Sequence, residues 1–547
     1  MGDTIVAIDC GTQSLRALLF GVDGSLLGRA KIEYQPYFST QPGWAEQDPE
    51  IWWRALIDAV GQLRALYPEP FGRLAGLAIT AQRDSMVCLD ADLAVVRPAT
   101  LWLDARKAAP PYQPDWLTAL GLKLLGMDEA IVRTQEAGRC SWLRQFEPAN
   151  WARTSSYLQV SGFLSARLTG ELADSVASQI GHLPFDYRRQ RWAAPGHRNS
   201  KMFPVEPGKL PRLVEPGRAL GQVTTAAAAL IGLPAGLPVF AAGSDKGCET
   251  IGMGVLDETA ASLSFGTTAT IQTTSSRYLE PLRFMPAYPA PLPGWYNPEV
   301  EIFRGYWMIT WFKNQFAYRE VLEAGRRGIL PEVALNELLE TSPPGCHGLV
   351  MQPYWTAGLK HPSAKGAIIG FGDVHERAHL YRSIIEGLAY GLKEGLEAIE
   401  HVSRRRIGQL AVSGGASQSD QICQISADVF NLPLYRGATC ETSGLGAAMC
   451  AAAGLGWYGS VVEAARAMSR RERCFEPQPA NARLYGRLYR RVYRRLYQAL
   501  EPLYEAIRNI TGYPEKPGYG KRGAAPGGVS SAAADNRHQA GGTANGA

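Results

Sequence analysis

The sequence predicts an α/β protein of more than one domain, and three observations carry that reading. Short apolar runs broken by Gly-Thr or Asp-Gly turns alternate with longer stretches of helical periodicity. A strand, Gly-Thr turn, strand pattern occurs twice, at 7–20 and at 263–274, once in each half of the chain. Finally, 547 residues, 46% of them hydrophobic, exceed what one core of about 250–300 residues holds, so two large domains or three ordinary ones are expected.

The elements follow in order. Apolar runs at 5–8 and 15–20, with Gly11-Thr12 between them and Asp23-Gly24 before Leu26, predict three antiparallel strands. A helix fits 48–67, with Asp48 as N-cap, Pro49 in the first turn, and Ile51, Trp52, Ala55, Leu56, Ala59 and Leu63 at helical spacing. LAGLAITA at 74–81 reads as a buried strand, and 86–90 as another. A helix at 157–168 ends at Gly170, and 225–243 is a helix followed by a strand, because Gly232, Pro234, Gly236 and Pro238 interrupt it. Further helices are expected at 247–254, 384–399, 419–430, 443–453 and 483–507, with strands at 261–274 and 407–415. Residues 281–300 hold six prolines and read as loop. Residues 511–547 are rich in Gly, Ala and Pro, and are expected to be disordered.

Composition excludes several classes. The formal charge is 56 minus 51, or +5, which argues weakly for nucleic acid. Only the arginines between Arg483 and Arg495 suggest it, and an amphipathic surface helix closing a domain accounts for them with fewer assumptions. Nine scattered cysteines without a CxxC pair, and no signal segment or 18-residue apolar run, point to a cytoplasmic protein with no membrane partner.

Five segments carry chemistry. A Gly-Thr turn between short strands lets backbone N–H groups converge where no side chain blocks approach, and the hydroxyl adds a donor, so Thr12 and Thr267 are candidate phosphate contacts. Asp9, two residues before Gly11, would sit beside phosphates only with a cation between them, which suggests Mg²⁺. Asp245 follows a strand and a glycine, at the edge where α/β proteins place ligands; it is either a base for an attacking hydroxyl or a buried partner of Lys246. Arg83 and Asp84, also at a strand end, suit vicinal hydroxyls or form an ordinary ion pair. Gly414, Gly415, Ser417 and Ser419 form either a binding turn for a planar group or a plain strand-turn-helix.

These segments are DCGTQS (Asp9, Gly11, Thr12, Gln13), TAQRDS (Gln82, Arg83, Asp84), LWLDAR (Trp102, Asp104, Arg106), AGSDKG (Gly243, Asp245) and SFGTT (Gly266, Thr267). With GWAEQDPEIWW at 43–53, the tract at 352–371, and the stretches at 413–433 and 441–452, they resemble the FGGY family of carbohydrate kinases over about residues 4–505. That family includes glycerol, xylulose and gluconate kinases. The resemblance implies two ribonuclease H-like domains of the actin, hexokinase and heat-shock-70 type, an N-terminal sugar-binding domain over 1–250 and a C-terminal nucleotide-binding domain over 251–510, with the active site in the cleft between them. It implies ATP-dependent phosphorylation of a small sugar or polyol, and a homodimer. Gly11, Thr12, Gln13, Gly266 and Thr267 would lie near the ATP phosphates, Asp9 near Mg²⁺, and Gly414, Gly415 and Ser419 near the adenosine. Asp245 would be the general base, and Gln82, Arg83 and Asp84 would hold acceptor hydroxyls beside Trp102 and Asp104.

Two departures bear on the acceptor. Arg83-Asp84 stands where glycerol kinases carry Arg-Glu, which leaves room for a larger polyol or a ketose such as a pentulose. Lys246 follows Asp245 where related enzymes carry Gln or Asn; it would bond a substrate hydroxyl, or the carboxylate of an aldonic acid. Three other readings stand beside the leading one: an aldonic-acid kinase, a sugar-independent ATPase, and a non-catalytic sugar- and ATP-binding regulator. Asp9, Thr12, Asp245 and Thr267 together weigh against the last, since binding alone needs no base.

Overall fold

The computed structural model describes residues 2–125, 127–356, 361 and 363–513. The expected disordered tail lies, from residue 514 on, outside the described residues, as do 357–360 and 362 of the tract at 352–371.

Two six-stranded sheets organise the molecule. The first comprises β1 (Thr4–Cys10), β2 (Ser14–Gly21), β3 (Leu26–Glu33), β4 (Leu74–Ala81), β5 (Ala219–Gln222) and β6 (Pro238–Ser244), in the order β5-β6-β4-β1-β2-β3. The second comprises β7 (Ala260–Phe265), β8 (Ala269–Gln272), β9 (Glu299–Ile302), β10 (Gln409–Ser413), β11 (Leu434–Gly437) and β12 (Arg471–Phe475), in the order β9-β8-β7-β10-β11-β12. Each sheet is an antiparallel three-strand meander whose first strand takes a parallel neighbour, then a second parallel strand, then an antiparallel edge. The two differ in one respect. The outer edge strand β5 precedes its partner β6 in the chain, whereas β12 follows β11. This shared order is that of two ribonuclease H-like domains, and the two Gly-Thr turns are the first turns of equivalent meanders.

Local sequence accounts for the elements. β1 is buried throughout, as a strand covered on both faces must be, while β3 alternates and faces water. Helix α1 (Pro49–Leu66) starts where Asp48 accepts from the Glu50 N–H, and it buries Trp52, Leu56, Val60 and Leu63. The expected helix at 157–168 begins later, as α2 (Val160–Thr169), because Ser156–Gln159 pairs with Met86–Leu89 as a strand; Gly170 ends it with φ of 75°. Helix α3 (Asp245–Gly252) starts two residues before the expected 247, because Ser244 caps it. Helix α4 (Arg377–Ser403) is longer than the expected 384–399, while α5 (Asp420–Phe430) and α6 (Thr442–Gly454) match closely.

Two expectations are corrected. Residues 281–300 are not all loop: short strands form at Tyr288–Pro289 and Tyr296–Asn297, and β9 begins at Glu299. At the C-terminus two helices, Pro479–Leu488 and Arg494–Thr511, flank a wider turn at Tyr489–Tyr493. Tyr485, Tyr489 and Tyr493 are buried there against Tyr390, so aromatic packing sets this segment's inner face. Seven of the nine cysteines are buried, Cys440 and Cys474 being exposed, and among the described residues no helix is long and apolar enough to cross a membrane.

A third core lies between the sheets. α6, from the second half of the chain, packs on the first sheet through Leu445, Ala448 and Met449, which join Ile5, Leu18, Phe20 and Phe240. α3 meets α6 at two glycines: a β-carbon on Gly252 would stand 2.0 Å from the Thr442 carbonyl oxygen, and one on Gly446 would stand 2.0 Å from that of Cys248. The backbones touch there, which fixes how the two halves sit.

Candidate active site

A cleft of about 2960 Å³ opens between the two sheets. Gly11, Thr12, Gln13, Gln82, Arg83, Asp84 and Trp102 line it from the first domain, with Asp245 and Lys246 at its floor. Gly266, Thr267, Gly415 and Ser419 line it from the second. Asp9, Asp104 and Gly414 do not line it.

The first turn is closed by the Gly11 N–H donating to the Ser14 carbonyl at 3.0 Å, and the Gly11 carbonyl accepts from Tyr34 Oη at 2.7 Å. It is tied to the wall behind it. Thr12 Oγ1 donates to Gln82 Oε1 at 3.0 Å and accepts from Trp102 Nε1 at 3.0 Å, while Ser85 Oγ bonds both Gln82 Oε1 and the Trp102 N–H at 3.2 Å. Turn and wall thus form one hydrogen-bonded unit. The second turn is braced differently: the Tyr306 N–H donates to the Gly266 carbonyl at 3.0 Å, and the Tyr306 ring packs on Phe265 at 4.3 Å.

Asp9 is buried on β1, with Arg16 at 3.1 Å. Burial pushes its carboxyl up to about 6; Arg16 pulls it down, and Asp245 and Glu441 push it further up. Asp245 opens α3, where the helix dipole favours a carboxylate; its Oδ1 accepts from the Lys246 N–H at 2.8 Å and lies 4.0 Å from Arg83 Nε.

Arg83 forks onto Glu299 at 3.0 and 3.2 Å, crossing from the first domain to the second, and lies over the Tyr288 ring. Burial would lower its guanidinium, but Glu299 and Asp245 hold it above its usual range. Asp84 is the more heavily committed carboxylate. It accepts from the His182 N–H at 3.0 Å and pairs with His182 Nδ1 and Arg139 Nη1, each at 2.8 Å. Burial raises it, and Arg139 and His182 outweigh burial, so it stays below the usual carboxylate range.

Two sequence expectations are corrected by position. Asp104 is buried, pairs with Arg106 at 2.8 Å and accepts from the Ala45 N–H at 2.6 Å, so it supports the wall from behind and does not face an acceptor. Gly414 packs where a β-carbon would come within 2.8 Å of Phe265 backbone, with φ of 93°; its glycine serves that close approach, and Gly415 and Ser419 are the residues that reach the cleft. Lys246 lines the cleft, and its Nζ bonds Glu249 Oε2, on its own helix, at 2.8 Å and Ser264 Oγ, on β7 of the second sheet, at 2.6 Å.

Sequence reasoning missed His182, Tyr187, Tyr288 and Glu301, which all line the cleft. For Glu301 a signal existed: Glu299-Val300-Glu301-Ile302 alternates as a strand does. Burial and the Glu299 charge push Glu301 from 4.5 up to about 7, against Arg83 and Lys246. A carboxyl held above its unfolded value favours the folded state at low pH. The ligand-free protein is therefore expected to gain stability from this group as pH falls from about 7 to 4.5, and to lose it as pH rises through 7. Denaturant titration across that range should give a flatter profile for Glu301→Gln, and an unchanged slope would refute the assignment.

Comparison with known proteins agrees with this architecture. The N-terminal domain of the FGGY family of carbohydrate kinases matches residues 4–252, and its C-terminal domain matches residues 261–455. The uncharacterized sugar kinase YgcE of Escherichia coli strain K12 is 29% identical over 88% of this chain and 90% of its own length. A xylulose kinase of Lactococcus lactis is 28% identical over 88% of this chain and 94% of its own. The crystal structure of xylulose kinase from Rhodospirillum rubrum superposes with a TM-score of 0.76 at 26% identity, covering 92% of this chain and 100% of that one. The chain belongs to the FGGY family of carbohydrate kinases and is an ATP-dependent sugar kinase.

Proposed function

We propose that the acceptor is an uncharged ketose or polyol, that Asp245 takes the proton of its attacking hydroxyl, and that the two Gly-Thr turns hold the ATP phosphates. The observation that carries this reading is the position of Asp245. It stands on the cleft floor at a helix N-terminus, between the wall of Gln82, Arg83 and Trp102 and the turn at Gly266 and Thr267. Asp245 Oδ1 lies 4.0 Å from Arg83 Nε, so a hydroxyl resting on that wall would be within reach of the carboxylate, and a phosphate held at the turn would approach it from the other side.

Charge pairing supports an uncharged acceptor. Arg83 is committed to Glu299, Arg139 to Asp84 and Lys246 to Glu249. Asp245 adds negative charge in the same cleft, and Glu301, its carboxyl held up to about 7, adds only part of a charge at neutral pH. The carboxylate of an aldonic acid would meet those groups where Arg83, Arg139 and Lys246 are each paired with a carboxylate, whereas sugar hydroxyls donate to carboxylates and accept from remaining donors of Arg83 and Gln82.

Mg²⁺ fits this site. Asp9 offers a buried oxygen donor two residues before Gly11, its carboxyl raised first by burial and further by Asp245 and Glu441, and one carboxylate beside phosphates is a usual Mg²⁺ environment. Asp9 would hold the ion, which would neutralise phosphate charge. Gly415 and Ser419 would face the adenosine, at the N-terminus of α5. Residues 1–250 would serve the acceptor and 251–510 the nucleotide.

Coupled ADP production with Mg-ATP against ketoses, polyols and aldonic acids, with a sugar-free control, tests the reading. A ketose or polyol is expected to stimulate turnover strongly. Response to aldonic acids alone, or turnover that no sugar stimulates, would refute it.

A further inference from the structure

Lys246 occupies a position that its commitment to Glu249 does not exhaust. An ammonium has three donors. One goes to Glu249 Oε2 at 2.8 Å and one to Ser264 Oγ at 2.6 Å. Among the described residues the third has no partner, and Lys246 lines the cleft. One anchor, Ser264, belongs to the nucleotide half, and the other, Glu249 on Lys246's own helix, is itself tied to that half. Ser264 lies on β7, two residues before Gly266, and Glu249 Oε1 accepts from Ser413 Oγ at 2.6 Å, at the end of the strand that leads into Gly414 and Gly415. The decisive contact is at the second turn: a β-carbon on Gly266 would stand 3.9 Å from Lys246 Nζ, with only the Thr268 carbonyl oxygen nearer, at 3.4 Å. The open face of that turn is therefore within hydrogen-bond reach of the ammonium.

Resting on the proposed function, we infer that Lys246 is a catalytic residue whose third N–H donates to an oxygen of the transferring γ-phosphoryl group, not to the sugar. In the transfer, the bond from phosphorus to the ADP β-phosphate oxygen breaks and a bond to the acceptor oxygen forms. The hydroxyl proton passes to Asp245. The ammonium offsets charge on the equatorial oxygens, beside the base and at a site braced before the nucleotide arrives. Burial would lower the Lys246 ammonium, but Glu249 and Asp245 hold it above its usual range, so the charge persists at neutral pH. Related enzymes with an uncharged amide here would lack this charge at the phosphate.

Calorimetric titration of the full-length protein with adenylyl imidodiphosphate and with ADP, each with Mg²⁺, tests the inference. Lys246→Met is expected to weaken the imido analogue at least about 10-fold, the scale of one charge-assisted hydrogen bond, while ADP changes less than about 3-fold. Removing the lysine alone strands the buried Glu249, so the Lys246→Met/Glu249→Gln double variant is measured beside it and should show the same loss. Recovery of parental affinity in the double variant would mean that Lys246 only neutralises Glu249, and would overturn the inference. So would equal losses for both nucleotides, or unchanged nucleotide affinities with a raised acceptor KM. Failure of the parent protein to bind either nucleotide would overturn the proposed function itself, and the inference with it.

Discussion

Asp245→Asn is expected to lower turnover by about 10²- to 10⁴-fold, the range a positioned proton acceptor contributes, with nucleotide affinity within about threefold of the parent. The substitution is nearly isosteric. Asparagine keeps an oxygen to accept the Lys246 N–H, now 2.8 Å away, and Ser244 still caps the helix, so α3 should start as before. What is lost is the charge. Arg83 loses a neighbour 4.0 Å away but keeps its fork onto Glu299, so the acceptor wall should hold its shape. A fall in kcat without a matching rise in either KM is the expected signature of a group that acts on the reacting proton. Turnover within about tenfold of the parent would remove Asp245 as the base. Glu301, another carboxylate that lines the cleft, would then be the next to test.

The parts of this site that were legible in the sequence are those whose chemistry is local. A strand, a Gly-Thr turn and a second strand are contiguous, so both Gly-Thr turns could be read directly, and both line the cleft. Asp245 and Arg83 announced themselves by standing at strand ends. What the sequence could not convey is which way a side chain turns once two domains meet. Lys246 is adjacent to Asp245 in the chain, yet a helix sends neighbouring residues to different faces, and its ammonium joins Ser264 of the other sheet. Asp104 sits among acceptor-wall residues but turns inward to Arg106. Glu299 and His182 lie 216 and 98 residues from the groups they hold, separations that no motif spans. The proline-rich stretch at 281–300 concealed an edge strand for a further reason: prolines suppress the strand signal just before Glu299, where the alternation that identifies β9 is only four residues long. The internal echo was the most informative feature. Two similar hairpins, one in each half, anticipated two sheets of the same order.

Gly446→Ala is expected to destabilise the protein by roughly 1–3 kcal/mol or more, although alanine favours helices over glycine. The new β-carbon would stand 2.0 Å from the Cys248 carbonyl oxygen, and its next contacts, at 2.6 and 2.8 Å, include more backbone. No side-chain rotation relieves such an overlap; the helices α3 and α6 must separate by about 1 Å to restore ordinary contact. The consequence extends to the chemistry, because α3 carries Asp245 at its first turn and α6 packs on the first sheet. A displacement of about 1 Å between the reacting groups costs roughly 10²-fold in rate, so kcat should fall together with the thermal midpoint. Gly61→Ala is the matched control. It lies inside α1 with nothing within 4 Å of its would-be β-carbon, and there the same substitution should stabilise by about 0.5–1 kcal/mol and leave turnover unchanged. Opposite signs at two helical glycines would show that the contact between α3 and α6, and not helix propensity, is what glycine serves at position 446. A Gly446→Ala protein with the parent's melting midpoint and turnover would show instead that the helix pair yields without cost, and the two domains would not be held by that contact.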